Sequence, residues 1–202
     1  MVYKNITISG LPGCGSTTLL KLLKDRLGME GWRGFSGGEF MRAYALEKGV
    51  FKEHEGLHHS AADYEDAFDR QIDYGMREKL STEEKWILEA WLSGFLAQGV
   101  EGTLKVLLLC SDDAVRIDRI VNRDNVSIEE AKEHISKRKE TNVTKWTRMY
   151  SKEWKEWVVD RGLATADEQI DFWKPTLYDV VIDTFSTSKD ETLRLVLEKL
   201  GM

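Results

Sequence analysis

Five short apolar runs, at residues 3–9, 32–36, 85–89, 103–110 and 178–184, punctuate the chain, with stretches of amphipathic helical period between them. A run such as Val106-Leu107-Leu108-Leu109 does not alternate apolar with polar, so a strand made from it must be covered on both faces. That is the condition of a parallel sheet sandwiched between helices. The pattern predicts an α/β fold in three layers, α/β/α, with a five-stranded parallel sheet.

At 202 residues the chain is long for one compact domain and short for two; one domain over 1–202 is expected. Hydrophobic residues at 42% and only 2 prolines exclude disordered and collagen-like classes. A net charge of −6 argues against a protein built to grip nucleic-acid backbone. Small anions stay open, because they need only a local nest of donors. No apolar run nears the roughly 18–20 residues that cross a bilayer, and Met1-Val2-Tyr3-Lys4 leads into a strand rather than a secretory segment. The expectation is a cytoplasmic monomer or weak dimer, with no nucleic-acid or membrane partner. Two cysteines, Cys14 and Cys110, make no disulfide framework.

The helix after the first strand carries Leu19, Leu20, Leu22, Leu23 and Leu27 and is expected to end at Gly28 as its C-cap. Ser81 with Glu84, Ser127 with Glu130 and Ser188 with Glu191 have capping-box spacing and mark further helix starts, the last helix running to about Leu200. Residues 38–80 and 124–174 break the strand–helix alternation and read as helical insertions at the mouth of the sheet, flaps on one core rather than separate domains.

Between the first strand and first helix lies Gly10-Leu11-Pro12-Gly13-Cys14-Gly15-Ser16-Thr17-Thr18. This is the spacing of the Walker A loop, whose backbone amides curl round a phosphate at the positive end of a helix. Gly10, Gly13, Cys14, Gly15, Ser16, Thr17 and Thr18 are the candidate donor-phosphate residues, and the Thr17 hydroxyl is the candidate Mg²⁺ ligand. Ser16 stands where that motif ends in Lys. Losing one preorganised donor commonly costs about 10²–10³ in rate, so either a cation arrives from elsewhere or turnover is low.

With Ser36-Gly37-Gly38-Glu39-Phe40-Met41-Arg42 added after the second strand, the chain resembles the nucleoside monophosphate kinases, and most closely cytidylate kinases of the short archaeal type, from residue 4 to about 187. The resemblance implies a P-loop NTPase fold with a helical monophosphate-binding flap over 38–80 and a lid over 124–174. It also implies ATP and Mg²⁺ as cofactors and small-molecule nucleotides as substrates. Arg42 then grips the acceptor phosphate, with Ser36 nearby. Asp69 and Asp73, at i and i+4 on one helical face, match paired aspartates of the flap. In Leu88-Glu89-Ala90-Trp91-Leu92-Ser93-Gly94 the family reads LEGRLAG: Glu89 and Gly94 match, while Trp91 replaces an arginine, and an indole stacks but does not neutralise phosphate.

Arg116, Arg119 and Arg123 match the R-x-x-R spacing of the lid-entry helix, where a well-placed arginine is worth about 10³–10⁵ in phosphoryl transfer. Salt bridges to Asp118 or Asp124 are the plainer alternative. The segment 138–146 resembles RExSExxRY, with Arg138, Asn142 and Lys145 on one helical face, Asn142 in place of an acid and Lys145 in place of an arginine. By resemblance, Arg119, Arg123, Arg138 and Lys145 are the catalytic candidates; Ser36, Arg42, Asp69, Asp73, Glu89, Arg138 and Asn142 are the acceptor-binding ones. Tyr178-Asp179-Val180-Val181-Ile182-Asp183-Thr184 is similar to the closing strand YDLVINT.

Two patterns point elsewhere. His54-Glu55-Gly56-Leu57-His58 spells the zinc-binding HExxH, but Gly56 weakens a helix there and no apolar flank buries such a site, so it reads as a polar turn. Trp146, Tyr150, Trp154 and Trp157 form an aromatic stripe, read as core packing ahead of a partner surface. The expected function is transfer of the ATP γ-phosphoryl group to a nucleoside monophosphate, CMP or dCMP. The alternatives are a nucleotide-binding module with weak or lost turnover, motivated by Ser16, Trp91 and Lys145, or a P-loop kinase for another small acceptor.

Overall fold

A computed structural model describes residues 2–40 and 66–202. The strands are β1 (Asn5–Gly10), β2 (Arg33–Ser36), β3 (Trp86–Glu89), β4 (Thr103–Leu109) and β5 (Val180–Asp183), each lying inside or within a residue of its apolar run. They form one all-parallel sheet in the order β2-β3-β1-β4-β5, with Ile6 registered against Ile87 on one side and Leu104 on the other. The helices are α1 (Ser16–Leu27), α2 (Asp66–Thr82), α3 (Ser93–Leu96), α4 (Asp113–Asp124), α5 (Ile128–Met149), α6 (Ser151–Trp154) and α7 (Lys189–Leu200); α6 runs on into a π-helical turn at Lys155–Val159.

All six residues of β1 are buried, which explains why its sequence does not alternate. On one face Ile6, Ile8 and Leu108 meet Leu19, Leu20, Leu23 and Leu27 of α1 and Val196 of α7. On the other, Ser9 sits against α3, its hydroxyl accepting from the Gly94 N–H at 2.9 Å. There Phe95 is wholly buried, with ring centroids of Tyr150, Trp154, Trp157 and Phe172 at 5.9, 6.2, 5.5 and 4.8 Å. The aromatic stripe is thus the core of this layer, and Leu88, Met76 and Leu80 complete it. A Cβ on Gly94 would lie 2.2 Å from Cε1 of Tyr178, so the close approach of that ring to α3 requires glycine.

One helix start differs from expectation, while α1 ends at Leu27 with Gly28 as its C-cap, as expected. Gly28 keeps a right-handed helical φ of −58° and leads into a 3₁₀ turn, Gly28–Glu30. The reversal falls on Gly31, at φ 86°, because only there does the chain need the left-handed region to enter β2. Ser81 does not start a helix: it lies in the last turn of α2, and its hydroxyl donates back to the Arg77 carbonyl at 2.8 Å. Ser127 caps α5 with a reciprocal capping box through Glu130, and Ser188 caps α7.

Phe95→Ala removes the ring on which this layer converges and is expected to destabilise the protein by about 3–5 kcal/mol in urea unfolding followed by circular dichroism. A loss below about 1 kcal/mol would show that the aromatic layer does not carry the stability of that face.

Candidate active site

β1 and β3 are neighbours whose outgoing connections cross to opposite sides of the sheet, β1 leading to β2 and β3 leading to β4. Such a switch point opens a crevice at the carboxyl ends of the strands. The glycine loop lies there. Gly13 and Gly15 adopt φ 83° and 86°, and a Cβ on Gly13 would stand 2.8 Å from the Arg116 carbonyl oxygen. Inside the loop the Cys14 N–H turns back onto the Leu11 carbonyl at 3.1 Å.

Helix α1 begins at Gly15 with no side-chain cap and no acid in its first turn, whereas Asp112, Ser127 and Ser188 cap α4, α5 and α7. Its leading amides and dipole therefore face open space, an arrangement suited to an anion. That space is a cleft of about 570 Å³, lined by Gly10, Gly13, Gly15, Ser16, Thr17, Thr18, Glu89, Trp91, Arg119, Arg123 and Arg138 with Asn122, Thr184 and Lys189 among others.

A model of the family described as cytidylate kinase-like matches residues 5–186. The chain belongs to that family. It is 32% identical over 180 residues to a cytidylate kinase of Methanosarcina barkeri (strain Fusaro), covering 89% of this chain and 86% of that protein. Identity to a cytidylate kinase of Methanobrevibacter smithii is 31% over 199 residues, 96% and 97% of the two chains. Among solved structures, a gluconokinase from Sinorhizobium meliloti 1021 shares the fold, with a TM-score of 0.51 at 12% identity over 98% of this chain and 91% of its own. The cytidylate kinase-like protein is a nucleoside monophosphate kinase of P-loop architecture.

The kinase's cleft holds its charges in different ways. Ser16 donates its hydroxyl to Glu89 at 2.7 Å. Burial pushes the Glu89 carboxyl above the usual range, with the Ser16 bond and the charge of Arg123 acting against that rise. Arg119 donates to the Gly13 carbonyl at 3.1 Å, and to the hydroxyl and carbonyl of Thr184, both at 2.9 Å, so it ties the glycine loop to the end of β5. Arg123 is forked onto Asp124 through two bonds of 2.7 Å, the salt-bridged arrangement weighed for it from sequence. Arg138 projects into the cleft with its guanidinium carbon 5.3 Å from the Trp91 ring centroid.

Other expected site residues lie away from this cleft. The Cys14 side chain is buried beneath the loop, and burial raises its thiol. Ser36 and Glu39 cap the helical turn that opens at residue 37: the Ser36 N–H donates to the Glu39 carboxylate at 2.8 Å, and the Glu39 N–H to the Ser36 hydroxyl at 3.2 Å. Lys145 pairs with Asp69 at 2.8 Å, Arg148 with Asp66 at 2.7 Å, and Arg70 with Glu153 at 2.5 Å, so α2 is fastened to α5 and α6. Asn142 is buried on α5, and its Oδ1 has no hydrogen-bond partner among the described residues. Arg42 and the 54–58 motif lie outside the described residues.

Trp91 beneath Arg138, Thr184 beneath Arg119, and Lys189 at the rim were not read from sequence as site residues. Thr184 ends the closing strand and Lys189 opens α7, so a rule that strand ends line the mouth would have found them. Among the described residues no three His, Cys, Asp or Glu side chains gather as a metal cluster, and no helix is long and apolar enough to cross a membrane.

Asp73 accepts from the Tyr150 hydroxyl at 2.5 Å, and burial, with Asp69 adding to it, pushes its carboxyl up to about 7. A carboxyl raised on folding binds more protons folded than unfolded, so its contribution is full below about pH 4 and is lost as pH rises to about 7. Asp73→Asn abolishes that titration while keeping an acceptor for Tyr150. Wild-type stability minus that of the variant is expected to fall between about pH 4 and 7 in urea unfolding, then level off; a difference independent of pH would refute the assignment.

Proposed function

We propose that the chain moves the γ-phosphoryl group of ATP onto a cytidine monophosphate, CMP or dCMP. The observation that carries this reading is the uncapped start of α1, set behind two left-handed glycines and facing a cleft that also holds Glu89 and three arginines. Identity of 32% and 31% to two cytidylate kinases supports the choice of base. The net charge of −6 favours free nucleotides over a polymer.

In this reading the amides of Gly13 and of Gly15 to Thr18 hold the donor phosphates, that of Cys14 being bonded to the Leu11 carbonyl. The exposed Thr17 hydroxyl, in the first turn of α1, is placed to hold Mg²⁺. Bound there, the ion draws negative charge from the phosphate oxygens. Arg42 positions the acceptor, and Arg138 serves both the acceptor and the outer phosphates of the donor. Arg119 and Arg123 meet the charge that spreads over the transferred group, Arg123 by exchanging the Asp124 carboxylate for phosphate oxygens, one charge-assisted bond for another. Lys145, Asp69 and Asp73 act through the helices they fasten, keeping α5 in place so that Arg138 faces the loop. Orientation and electrostatics suffice for this chemistry, without a strong base.

One observation favours a second reading, a nucleotide-binding module of low turnover: the position of the usual loop lysine is occupied by Ser16, bonded to a carboxylate. With Mg-ATP and a panel of CMP, dCMP, UMP, AMP and GMP, ADP formation is expected to depend on the acceptor and to be fastest with CMP or dCMP. Arg138→Gln is expected to lower kcat/KM by about 10²-fold. Calorimetric ATP binding with no diphosphate product from any acceptor would assign the chain to the second reading.

A further inference from the structure

The cleft lacks a cation at Ser16, and the Ser16 hydroxyl is bonded to the Glu89 carboxylate, so this end of the site needs positive charge from another element. Three arginines line it. Arg119 is held by three hydrogen bonds to Gly13 and Thr184, and Arg123 by the fork to Asp124. Arg138 differs: among the described residues it has no hydrogen bond and no carboxylate at ion-pair distance, and its contact is the face of Trp91, 5.3 Å from the ring centroid. Trp91 in turn is braced from behind. Its ring meets Trp146 at 5.6 Å and Trp173 at 6.3 Å, both edge-on, and its carbonyl accepts from the Trp173 indole N–H at 2.9 Å.

An aromatic face attracts a guanidinium through its quadrupole without using any of its five N–H donors and without cancelling its charge. A carboxylate in the same place would orient the arginine but compete with phosphate for it, as Asp124 does for Arg123. We infer that Trp91 is a positioning residue: its indole holds the Arg138 guanidinium over the glycine loop with charge and donors intact, and the pair supplies the outer-phosphate cation that the loop lacks at Ser16. The exchanges of arginine for tryptophan at position 91 and of lysine for serine at position 16 are then coupled: the charge omitted from the loop arrives from α5, on an aromatic support. This rests on the kinase reading above, and its test is chosen so that the two fail separately.

Inorganic tripolyphosphate, which carries no base or sugar, is titrated calorimetrically into the wild type, Trp91→Leu, Trp91→Phe, Arg138→Gln and the two double variants, each checked for native circular dichroism. Loss of the aromatic face is expected to weaken binding about fivefold in the wild-type background, with Phe intermediate between Trp and Leu. In the Arg138→Gln background the change at position 91 is expected to have less than about a twofold effect, because its partner is gone. Kinetically, Trp91→Leu is expected to raise KM for ATP in the wild-type background and leave it unchanged in Arg138→Gln. Equal losses in both backgrounds would show a general packing role, and unchanged binding in Trp91→Leu and Trp91→Phe would show no role; either overturns the inference. Should Trp91→Leu not fold, the Trp91→Phe cycle decides by the same criterion. A wild type that does not bind tripolyphosphate, with KM for ATP unchanged in Trp91→Leu, would likewise overturn the inference, whereas absence of ADP formation with every acceptor would overturn the transfer reading instead.

Discussion

Helix α1 opens toward the carboxyl edge of the sheet and, among the described residues, no side chain receives its leading amides. In a folded protein such donors are almost always satisfied, by a cap, by water or by a ligand. The other capped helices show that this chain has the means: Asp112, Ser127 and Ser188 each accept from an amide in the first turn. At α1 the corresponding residue is Gly15, which contributes a left-handed turn and no acceptor. Everything else in the cleft is organised around that omission, since it places a fixed positive potential where the switch point between β1 and β3 has already opened a crevice.

The cations of the molecule then sort by what holds them. Those of the contact between α2 and the α5–α6 segment, Arg70, Lys145 and Arg148, are paired with Glu153, Asp69 and Asp66 and join helices far apart in sequence. Arg119 stands between the two groups. It faces the cleft, yet its bonds to Gly13 and Thr184 tie the glycine loop to the end of β5, so removing it disturbs both charge and loop geometry. Arg123 carries its own counter-ion, Asp124. An anion entering the cleft therefore meets a graded set of donors, in which the helix amides and Arg138 require the least rearrangement.

The fold was legible because burial on both faces leaves a clear trace: runs such as Val106–Leu109 without alternation have only one environment in a chain of this size. Capping sequences were legible where the side chain had nothing nearer to bond, as at Ser127 and Ser188. Ser81 failed because an upstream helix already offered it the Arg77 carbonyl, a competition that local spacing does not reveal. Gly28 was legible as the C-cap of α1, although it stays right-handed and the left-handed reversal follows at Gly31. In the site, the glycine loop and the cluster of Arg119, Arg123 and Arg138 were readable as residue types and faces. The partners were not. Spacing put Asn142 and Lys145 on the same face as Arg138, but the partner of that face is set by α2, across the 45 residues between Thr82 and Ile128, and no periodicity within α5 encodes it.

The bond between Ser16 and Glu89 joins the first turn of α1 to the end of β3 at the mouth of the cleft. A carboxylate beside a phosphate site is repulsive, and Glu89 is held at the end of β3 by the sheet, so it cannot withdraw far. Burial already favours its neutral form. A hydrogen bond from Ser16 satisfies one carboxylate oxygen, so the residue that removes the cation also restrains the neighbouring anion. A lysine at position 16 would pair with Glu89 and neutralise it, leaving less positive charge for phosphate than an isolated ammonium group provides. With serine there the two roles are separated. Glu89 is contained locally by a neutral donor, and the arginines that line the cleft stand on α4 and α5, whose packing sets where they sit.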